Sequence, residues 1–264
     1  MGLPVITLLS DFGLQDGYAA SMKGVILDIC PDARLVDISH LISPQNIASG
    51  AFVLYATYQY FPPGTVHLAV VDPGVGAERG AIAVRTATSF FVGPDNGLFS
   101  LILKKETWWE ARRLENTQFR RSPMSSTFHG RDLFAPAAAH LARGAGFSTM
   151  GPVCDAVLAH WSEPTITKGE IIGEVIHIDR FGNAITNVQS KMLEELGSLD
   201  KWTIKAGKSE VGSIKRTYGR VGAGKALALT GSSGFIEIAV NRGSAAWELK
   251  LKSGTTVIFK PADS

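Results

Sequence analysis

The sequence predicts an α/β protein in two parts: an N-terminal α/β/α layered domain with a mostly parallel central sheet over residues 1–165, and a C-terminal antiparallel β-barrel over residues 166–264. Three observations support this prediction. Apolar strand-like runs alternate with helix-like stretches in the first half, which is typical of layered α/β folds. The stretch WSEPTITKGE is polar and contains a proline and a glycine, as linkers do. Beyond it, short alternating strands separated by Gly/Ser turns indicate a small barrel.

The elements of the first half follow one another in a regular order. PVITLLS predicts a buried strand, and a helix follows to Ile29, with Asp16 as its N-cap and Cys30-Pro31 as its end. RLVDIS predicts a short strand, and NIASGAFVLYATYQYF a helix that ends at PPG. TVHLAVVD predicts a strand buried on both faces, followed by the strands GAIAVRT and SFFVGPDNG. RDLFAPAAAHLARG predicts a helix with Gly144 at its C-cap.

The second half is predicted to be almost entirely β-strand. Its strand-like runs are separated by turn residues and often alternate apolar with polar side chains. The runs are EIIGEVIHID, NAITNV, KWTIKA, ALALTG, FIEIAV and TTVIFK, and KMLEEL is the one helical segment that we predict there.

Composition excludes several classes of protein. The chain has 264 residues, 45% of them hydrophobic, and a net charge of +2 with no stripe of Lys and Arg, so we expect no nucleic-acid partner. Its two cysteines, Cys30 and Cys154, are far apart, which suits a reducing cytoplasm. The apolar N-terminus is too short for a signal peptide, and no run reaches membrane-spanning length. The six histidines lack metal-ligand spacing, so we expect a cytoplasmic protein without a metal or a membrane association.

Three acidic residues stand at predicted strand ends: Asp11 in LLSDFG, Asp72 in VVDPGVG and Asp95 in VGPDNG. Each could form an Asx-turn with backbone two residues on, and PDNG is a good turn sequence by itself. Ligands of open α/β sheets bind beyond the carboxyl ends of strands, where three carboxylates would repel one another unless something compensates. A ribose is one such compensator, because an ionised Asp accepts two hydroxyl hydrogen bonds at once.

The segment STFHGRDLF is a second candidate for chemistry. His129 stands just before a predicted helix, whose positive end disfavours an imidazolium, so a neutral histidine that hydrogen-bonds a neighbour is one interpretation. The alternative is that Asp132 caps the helix and His129 is an ordinary surface residue.

In the second half, HIDRFGNAITN combines Asp179, Asn183 and Asn187 with an exposed-looking Phe181. These side chains offer hydrogen-bond donors and acceptors beside an aromatic face, as a ligand site would. The alternative is a bulged hairpin whose turn lies at Gly182 and the following asparagine.

The segment LTGSSGFIEIAV contains a turn whose hydroxyl and N–H groups could hold a carboxylate. Ser232 and Ser233 are the residues of that turn. The alternative is a plain hairpin connection, with Glu237 as the solvent-facing residue of the next strand.

Together these segments resemble one family. SDFGxxDGY, VVDPGVGxxRG, GPDNG, FHGRDxFAPAAAHLA, IDRFGNxITN and SSGFIEIAVNxGxA are similar, in this order, to the S-adenosyl-L-methionine (SAM) hydroxide adenosyltransferases, which are related to the SAM-dependent fluorinase and chlorinase. The resemblance covers nearly the whole chain. It implies an α/β domain followed by a β-barrel, and a homotrimer that binds SAM between the N-terminal domain of one subunit and the C-terminal domain of the next. It also implies hydrolysis of SAM to adenosine and L-methionine, with no cofactor.

The resemblance also implies roles for individual residues. Asp72, Arg79 and His129 match the family's residues that handle the attacking water or hydroxide, and which of them accepts the proton stays open. The match carries Asp11 to the ribose hydroxyls. The remaining implied contacts with SAM are made by Asp72, Asp179, Phe181, Asn183, Ser232, Ser233, Glu237 and Val240.

The sequence leaves two alternatives to hydrolysis open. The resembling halogenases carry a tyrosine where Asp72 stands and a small halide-binding residue near Gly130, and a carboxylate beside the nucleophile would repel halide. We therefore expect a hydrolase rather than a halogenase. A sensor that binds SAM or adenosine with negligible turnover is the other alternative.

Overall fold

The computed structural model describes residues 2–167 and 169–262. The chain divides into two compact units, Met1–Ala159 and His160–Ser264. The boundary that the sequence suggested, after residue 165, stays a prediction. The predicted fold class is confirmed: the first unit is a mixed α/β structure with a sheet rich in parallel strands, and the second contains a closed β-barrel.

The first unit is built on a seven-stranded sheet with the order β2-β1-β3-β5-β4-β6-β7. The first four strands in this order run parallel, and the remaining three pair antiparallel. The strands are β1 (Val5–Ser10), β2 (Arg34–Ser39), β3 (Val66–Val70), β4 (Gly80–Thr86), β5 (Phe90–Asp95), β6 (Trp109–Arg113) and β7 (Val153–Cys154). Strand β3 lies between two parallel neighbours and is buried along its whole length, as its continuous apolar sequence predicts.

Helices cover both faces of this sheet. They are α1 (Tyr18–Ile29), α2 (Ile47–Tyr58), α3 (Ser100–Lys105) and α4 (Ala135–Ala142), and a π-helical turn, Gly130–Phe134, leads into α4. Helices α1 and α4 share a core with Leu8 of β1. On α2, a Cβ placed at Gly50 would lie 3.7 Å from Leu9. Successive strand residues point to opposite faces, so α2 packs on the other side.

Two details of the first unit differ from the sequence prediction. Asp16 does not cap α1: the N-cap is Gly17, and no side chain bonds the helix end. Helix α3 and strands β6 and β7 were not predicted. Strand β6 was missed because its sequence, WEARR, is mostly charged. Gly144 follows the C-cap of α4 with φ of 101°, a left-handed conformation that favours glycine, so the predicted end of this helix is confirmed.

The second unit is a barrel of seven strands in the cyclic order β10-β14-β13-β12-β11-β15-β9, closed by the pairing of β9 with β10. Its strands are β9 (Glu170–Ile178), β10 (Ala184–Gln189), β11 (Trp202–Ala206), β12 (Ser209–Lys215), β13 (Ala226–Thr230), β14 (Phe235–Val240) and β15 (Thr256–Pro261). Strand β8 (Thr165–Thr167) pairs with β9 outside this ring. The helices α5 (Ser190–Leu196) and α6 (Ala245–Glu248) complete the unit.

The barrel is not wholly antiparallel. Strands β12 and β13 pair in parallel. The residues that connect them, 216–225, contain a 3₁₀ turn, Tyr218–Arg220, and carry the chain back to the end at which β12 began. Strand β12 was not predicted. Helix α5 confirms the predicted KMLEEL helix, and α6 is an additional short helix.

No helix in the described ranges is both long and apolar enough to cross a membrane.

A buried histidine in the first unit makes stability depend on pH. His67 on β3 is fully buried, bonds Thr7 through Nδ1 at 2.8 Å and stacks on Phe91. Burial lowers its pKa from 6.5 to about 3. The unfolded chain therefore binds a proton below pH 6.5 that the folded chain does not, so stability falls as pH drops from 6.5 towards 3.

We expect His67 to reduce the free energy of unfolding by about 2 to 3 kcal/mol between pH 6.5 and pH 4.5, since each pKa unit corresponds to about 1.4 kcal/mol. Urea unfolding of the wild type and of His67→Gln across this range measures the effect. The variant should show a flatter dependence, and equal slopes for the two proteins would contradict the assignment.

Candidate active site

Strands β1, β3 and β5 are adjacent and parallel, so the three acidic strand ends lie along one edge of the sheet, as predicted. Each carboxylate has its own protein partner. Asp11 Oδ2 accepts from the backbone N–H of Gln45 at 2.8 Å, and Asp95 Oδ1 from that of Val157 at 2.8 Å. Asp72 pairs with an arginine. Asp72 is therefore compensated by a cation, whereas Asp11 and Asp95 each accept one backbone hydrogen bond, and Asp95 is buried.

The Asx-turn interpretation is wrong for these carboxylates. Asp11 and Asp95 accept hydrogen bonds from residues 34 and 62 positions away, rather than two positions on. In the PDNG sequence the turn is made by Asn96, whose Oδ1 accepts from the N–H of Leu98 at 3.3 Å.

The centre of the site is an ion pair between Asp72 and Arg79. Arg79 Nε lies 2.9 Å from Oδ1 and 3.1 Å from Oδ2 of the carboxylate, and Nη2 also donates to Oδ2. The side chains are only 5% exposed for Asp72 and 11% for Arg79. The guanidinium also covers the ring of Phe134, 5.1 Å from its centroid. A buried fork of this kind holds both side chains in one orientation.

The turn between β3 and β4 brings these two residues together. Asp72 comes two residues after β3, and Arg79 immediately precedes β4. Gly76, between them, has φ of 79°, and a Cβ there would lie 2.7 Å from the carbonyl oxygen of Ser126. Glycine is therefore needed both for the conformation of the turn and for its contact with the segment that precedes His129.

His129 completes the cluster, although it is 50 residues further along the chain. Its Nδ1 lies 2.8 Å from Arg79 Nη2. A guanidinium can only donate, so Nδ1 accepts and the proton of the neutral imidazole is on Nε2. The pKa of His129 is lowered, first by burial and then by Arg79, while Asp72 and Asp132 oppose the shift. The interpretation of a neutral, hydrogen-bonded histidine therefore fits, and that of an ordinary surface residue does not.

Asp132 does not cap the helix that follows His129. It is fully buried, where Arg131 donates to both of its oxygens at 2.7 Å and the backbone N–H of Ser125 donates at 2.8 Å. The hydrogen bonds from Arg131 lower its pKa. Asp132 therefore ties the segment before His129 to the π-helical turn after it.

In the second unit, Asp179 organises its own loop. Its Oδ1 accepts from the backbone N–H groups of Phe181 and Asn183, at 2.9 and 2.8 Å, and its Oδ2 accepts from Asn183 Nδ2 at 2.8 Å. This loop presents the ring of Phe181, which is 78% exposed. The contact of Asp179 with SAM that the resemblance implies stays a prediction. Asn187 serves the barrel instead, bonding Glu174 and Trp161.

A cavity of about 570 Å³ lies within the second unit and brings together three of the predicted residues, Phe181, Asn183 and Val240. Tyr218 also lines it, and the sequence did not indicate this residue because a single tyrosine in a turn has no distinguishing spacing. The volume suits a small molecule, and the lining combines aromatic, apolar and amide groups.

Glu237 is buried rather than solvent-facing, so that part of the alternative is wrong, whereas the plain hairpin connection is confirmed by the antiparallel pairing of β13 with β14. Its Oε1 accepts a hydrogen bond from the hydroxyl of Tyr218, and burial raises its pKa. Glu237 therefore holds the tyrosine that lines the cavity. Ser232 and Ser233 lie in the turn between β13 and β14, and neither lines this cavity.

No group of three or more His, Cys, Asp or Glu side chains that could hold a metal ion occurs within residues 2–167 and 169–262.

Fold and site together define a class: a mixed α/β unit with an Asp–Arg–His cluster at its sheet edge, followed by a β-barrel with a small-molecule cavity. The profile of the SAM hydroxide adenosyltransferase N-terminal domain matches residues 6–151, and that of the C-terminal domain matches residues 173–258. The chain belongs to the SAM hydroxide adenosyltransferase family, and the resemblance found in the sequence is confirmed.

Individual relatives agree. An (R)-S-adenosyl-L-methionine hydrolase of Thermus thermophilus is 40% identical over 96% of this chain and 98% of its own. One of Salinispora arenicola is 38% identical over 95% of each chain. A fluorinase of Nocardia brasiliensis is more distant, at 27% over 97% of each. The crystal structure of an uncharacterized conserved protein from Thermotoga maritima is similar with a TM-score of 0.87 and 36% identity, over 97% of this chain and 99% of that one.

Proposed function

We propose that this protein is an enzyme that hydrolyses SAM to adenosine and L-methionine. The observation that carries the proposal is the buried cluster in which Arg79 joins Asp72 to His129, in a chain about 40% identical to named SAM hydrolases. The relatives' name specifies the (R) form of SAM. We therefore expect this chain to hydrolyse the (R)-sulfonium epimer faster. Such a preference would limit loss of the other epimer.

The reaction is an in-line displacement at the ribose C5′ carbon. The oxygen of water forms a bond to C5′ while the C5′–S bond breaks. The electron pair of the broken bond stays on the sulfur of methionine. The sulfonium is a good leaving group, so no acid has to protonate it. The protein's task is to hold a weak nucleophile in line and to accept its proton, so that one proton is released for each SAM consumed.

Among the three cluster residues, Asp72 is the one we assign as proton acceptor. His129 Nδ1 already accepts from Arg79, and Nε2 carries a hydrogen, so neither nitrogen of the neutral ring can take a proton without breaking that bond. The Asp72 carboxylate has more lone pairs than Arg79 occupies. His129 Nε2–H is then a donor that helps to hold the water oxygen. As the C5′–O bond forms, the attacking water becomes acidic enough for a carboxylate to accept its proton.

The lowered pKa of His129 predicts the acid limb of the pH profile. His129 must be neutral to accept from Arg79, and burial and Arg79 lower its pKa from the ordinary 6.5, so we expect the midpoint of the acid limb of kcat to lie below pH 6.5. Initial rates with saturating SAM measure this. His129→Gln should be slower at every pH, with its acid limb moved or lost. A wild-type rate that halves already near pH 7 would contradict the assignment.

For SAM binding we keep the remaining predicted residues as a proposal. Asp11 would bind the ribose hydroxyls, and the cavity residues Phe181, Asn183 and Val240 would bind the adenine and methionine side. Glu237 would act through Tyr218. The residues proposed for the amino-acid end are Asp179, Ser232 and Ser233.

A halogenase is disfavoured by the surroundings of Gly130. A Cβ at this position would lie 3.1 Å from Met22 Sδ, 3.3 Å from Phe128 and 3.4 Å from Phe12. A halide-binding side chain there would have to displace these groups. In addition, the Asp72 carboxylate would repel a halide in the position of the attacking nucleophile.

The proposal is tested by incubating the purified protein with each sulfonium epimer of SAM in H₂¹⁸O. We expect equal amounts of adenosine and methionine, with ¹⁸O in the 5′-hydroxyl of adenosine. Adenosine without ¹⁸O would contradict attack at C5′. Intact SAM after long incubation would indicate a sensor rather than an enzyme, and 5′-halo-5′-deoxyadenosine formed with chloride or fluoride would indicate a halogenase.

We also propose that the protein is a homotrimer with its sites at subunit interfaces. The family resemblance supports this, and so does the distribution of the proposed site residues over both units of the chain. A cytoplasmic location is a further proposal, supported by two cysteines that form no disulfide, Cys30 and Cys154.

A further inference from the structure

A chain of four side chains runs from the surface of the first unit to the carboxyl end of β1. Lys23 Nζ lies 2.6 Å from Asp37 Oδ2, and Asp37 Oδ1 lies 3.1 Å from His40 Nε2. His40 Nδ1 lies 2.7 Å from Ser10 Oγ, which accepts from the N–H of Phe12 at 3.3 Å.

The hydrogens along this chain have one consistent direction. The N–H of Phe12 donates to Ser10 Oγ, and the Ser10 hydroxyl is then free to donate to Nδ1 of His40. The imidazole carries its hydrogen on Nε2 and donates a hydrogen bond to Asp37. The other oxygen of Asp37 accepts a hydrogen bond from Lys23. Every polar atom of these four side chains has a partner, so the arrangement is well ordered.

The Ser–His–Asp order is that of a nucleophilic triad, but burial argues against that role. Ser10 is 0% exposed and His40 is 2% exposed. A nucleophile needs access to its substrate, and this hydroxyl is enclosed. Hydrogen bonds at such a place hold backbone segments in position instead.

The segments held are those on either side of Asp11. Besides the Ser10–His40 bond, the N–H of Gly13 donates to the carbonyl of His40 at 2.7 Å, and the N–H of Gln45 donates to Asp11 Oδ2 at 2.8 Å. Residues 40–45 therefore contact the 10–13 turn before, at and after Asp11. Its Oδ1 takes no hydrogen bond within the described part of the chain, and is available to a ligand.

We propose that Ser10, His40 and Asp37 are positioning residues that orient the Asp11 carboxylate to accept the 2′- and 3′-hydroxyls of a ribose. This inference rests on the proposed function, which assigns Asp11 to the ribose. A carboxylate binds two adjacent hydroxyls most tightly when its orientation is fixed before binding. If the turn that carries Asp11 were mobile, ordering it on binding would cost free energy.

The test compares the affinities of adenosine and 2′-deoxyadenosine for the wild type and for Ser10→Ala by calorimetry. In the wild type we expect adenosine to bind about tenfold or more tightly than the deoxy compound, as for a hydrogen bond to a charged group. In Ser10→Ala this preference should fall to about twofold, with the affinity for 2′-deoxyadenosine falling less than that for adenosine, because 2′-deoxyadenosine has only its 3′-hydroxyl to bond to Asp11. With SAM, the variant should raise KM more than it lowers kcat.

Thr7→Val is the matched control. Thr7 lies on the same strand, is equally buried, and makes the same kind of hydroxyl–histidine bond, to His67 Nδ1 at 2.8 Å. Both variants should lower the melting temperature, but Thr7→Val should keep the wild-type preference for adenosine. Equal loss of preference in both variants would show a general effect of instability and would overturn the inference.

The remaining outcomes also decide. Retention of the full preference by folded Ser10→Ala overturns the inference. If Ser10→Ala does not fold, Asp37→Asn, near the surface end of these hydrogen-bonded side chains, decides instead. For this variant we expect a partial loss of the preference for adenosine, and an unchanged preference overturns the inference. A wild type that hydrolyses SAM but binds both nucleosides equally overturns the role of Asp11 and this inference, while the proposed hydrolysis stands. A wild type without hydrolysis refutes the proposed function separately.

Discussion

Asp72→Asn is expected to lower kcat for SAM hydrolysis by about 10²- to 10⁴-fold, the range typical of a lost general base, while the dissociation constant for SAM changes by less than about tenfold. The amide matches the carboxylate in shape and its oxygen can still accept from Arg79. It carries no negative charge and cannot take a proton from water. The change therefore removes the proposed chemistry and keeps the shape of the side chain, while one arm of the fork to Arg79 is lost.

Initial rates and calorimetric SAM binding, measured on the same preparations, separate the two effects. Asp95→Asn is the matched control, because Asp95 ends the neighbouring parallel strand and its carboxylate accepts a structural backbone hydrogen bond from Val157. We expect this control to change kcat by less than about threefold. Turnover by Asp72→Asn at the wild-type rate would refute the assignment of Asp72 as proton acceptor.

Arg79→Met is expected to have the largest effect on stability, about 3 to 5 kcal/mol, as is usual when one partner of a buried ion pair is removed. The variant leaves the Asp72 carboxylate, only 5% exposed, without its counter-ion and removes the donor to His129 Nδ1. Turnover should fall at least as far as in Asp72→Asn, because both other cluster residues lose their orientation.

A double-mutant cycle separates stability from catalysis. Asp72→Asn/Arg79→Met removes both charges, so it should recover much of the free energy of unfolding and none of the turnover. Arg112→Met is a suitable control: Arg112 pairs with Glu110 on β6 and donates to the carbonyls of Ser148 and Gly151, so its loss should also lower stability but leave kcat unchanged. A double variant no more stable than Arg79→Met alone would mean that the buried charge is not the cause.

Much of the fold could be predicted because its signals are local. The doubly buried sequence of β3 and the alternating strands of the second half depend on neighbouring residues only. Strand β6 was missed because its side chains are mostly charged, and its place in the sheet comes from pairing with β4, more than 20 residues away. The parallel pairing of β12 with β13 is likewise a consequence of barrel closure, to which no single segment points.

The candidate site divides in the same way. Asp72 at a strand end and His129 before a helical turn were visible as candidates, and the order of motifs along the chain was sufficient for the family. That Arg79 joins them, and that it thereby sets the tautomer of His129, depends on a contact between residues 50 positions apart. The burial of Glu237 against Tyr218 is another contact of this kind.

The sequence by itself determined the fold class, the family and the residue types of the site, because periodicity and motif order are properties of the chain alone. Only the tertiary structure decided which groups meet, which carboxylates the protein already neutralises, and which hydroxyl is buried against a histidine. These properties depend on distances across the sheet and on exclusion of water. Both arise only when distant segments pack together.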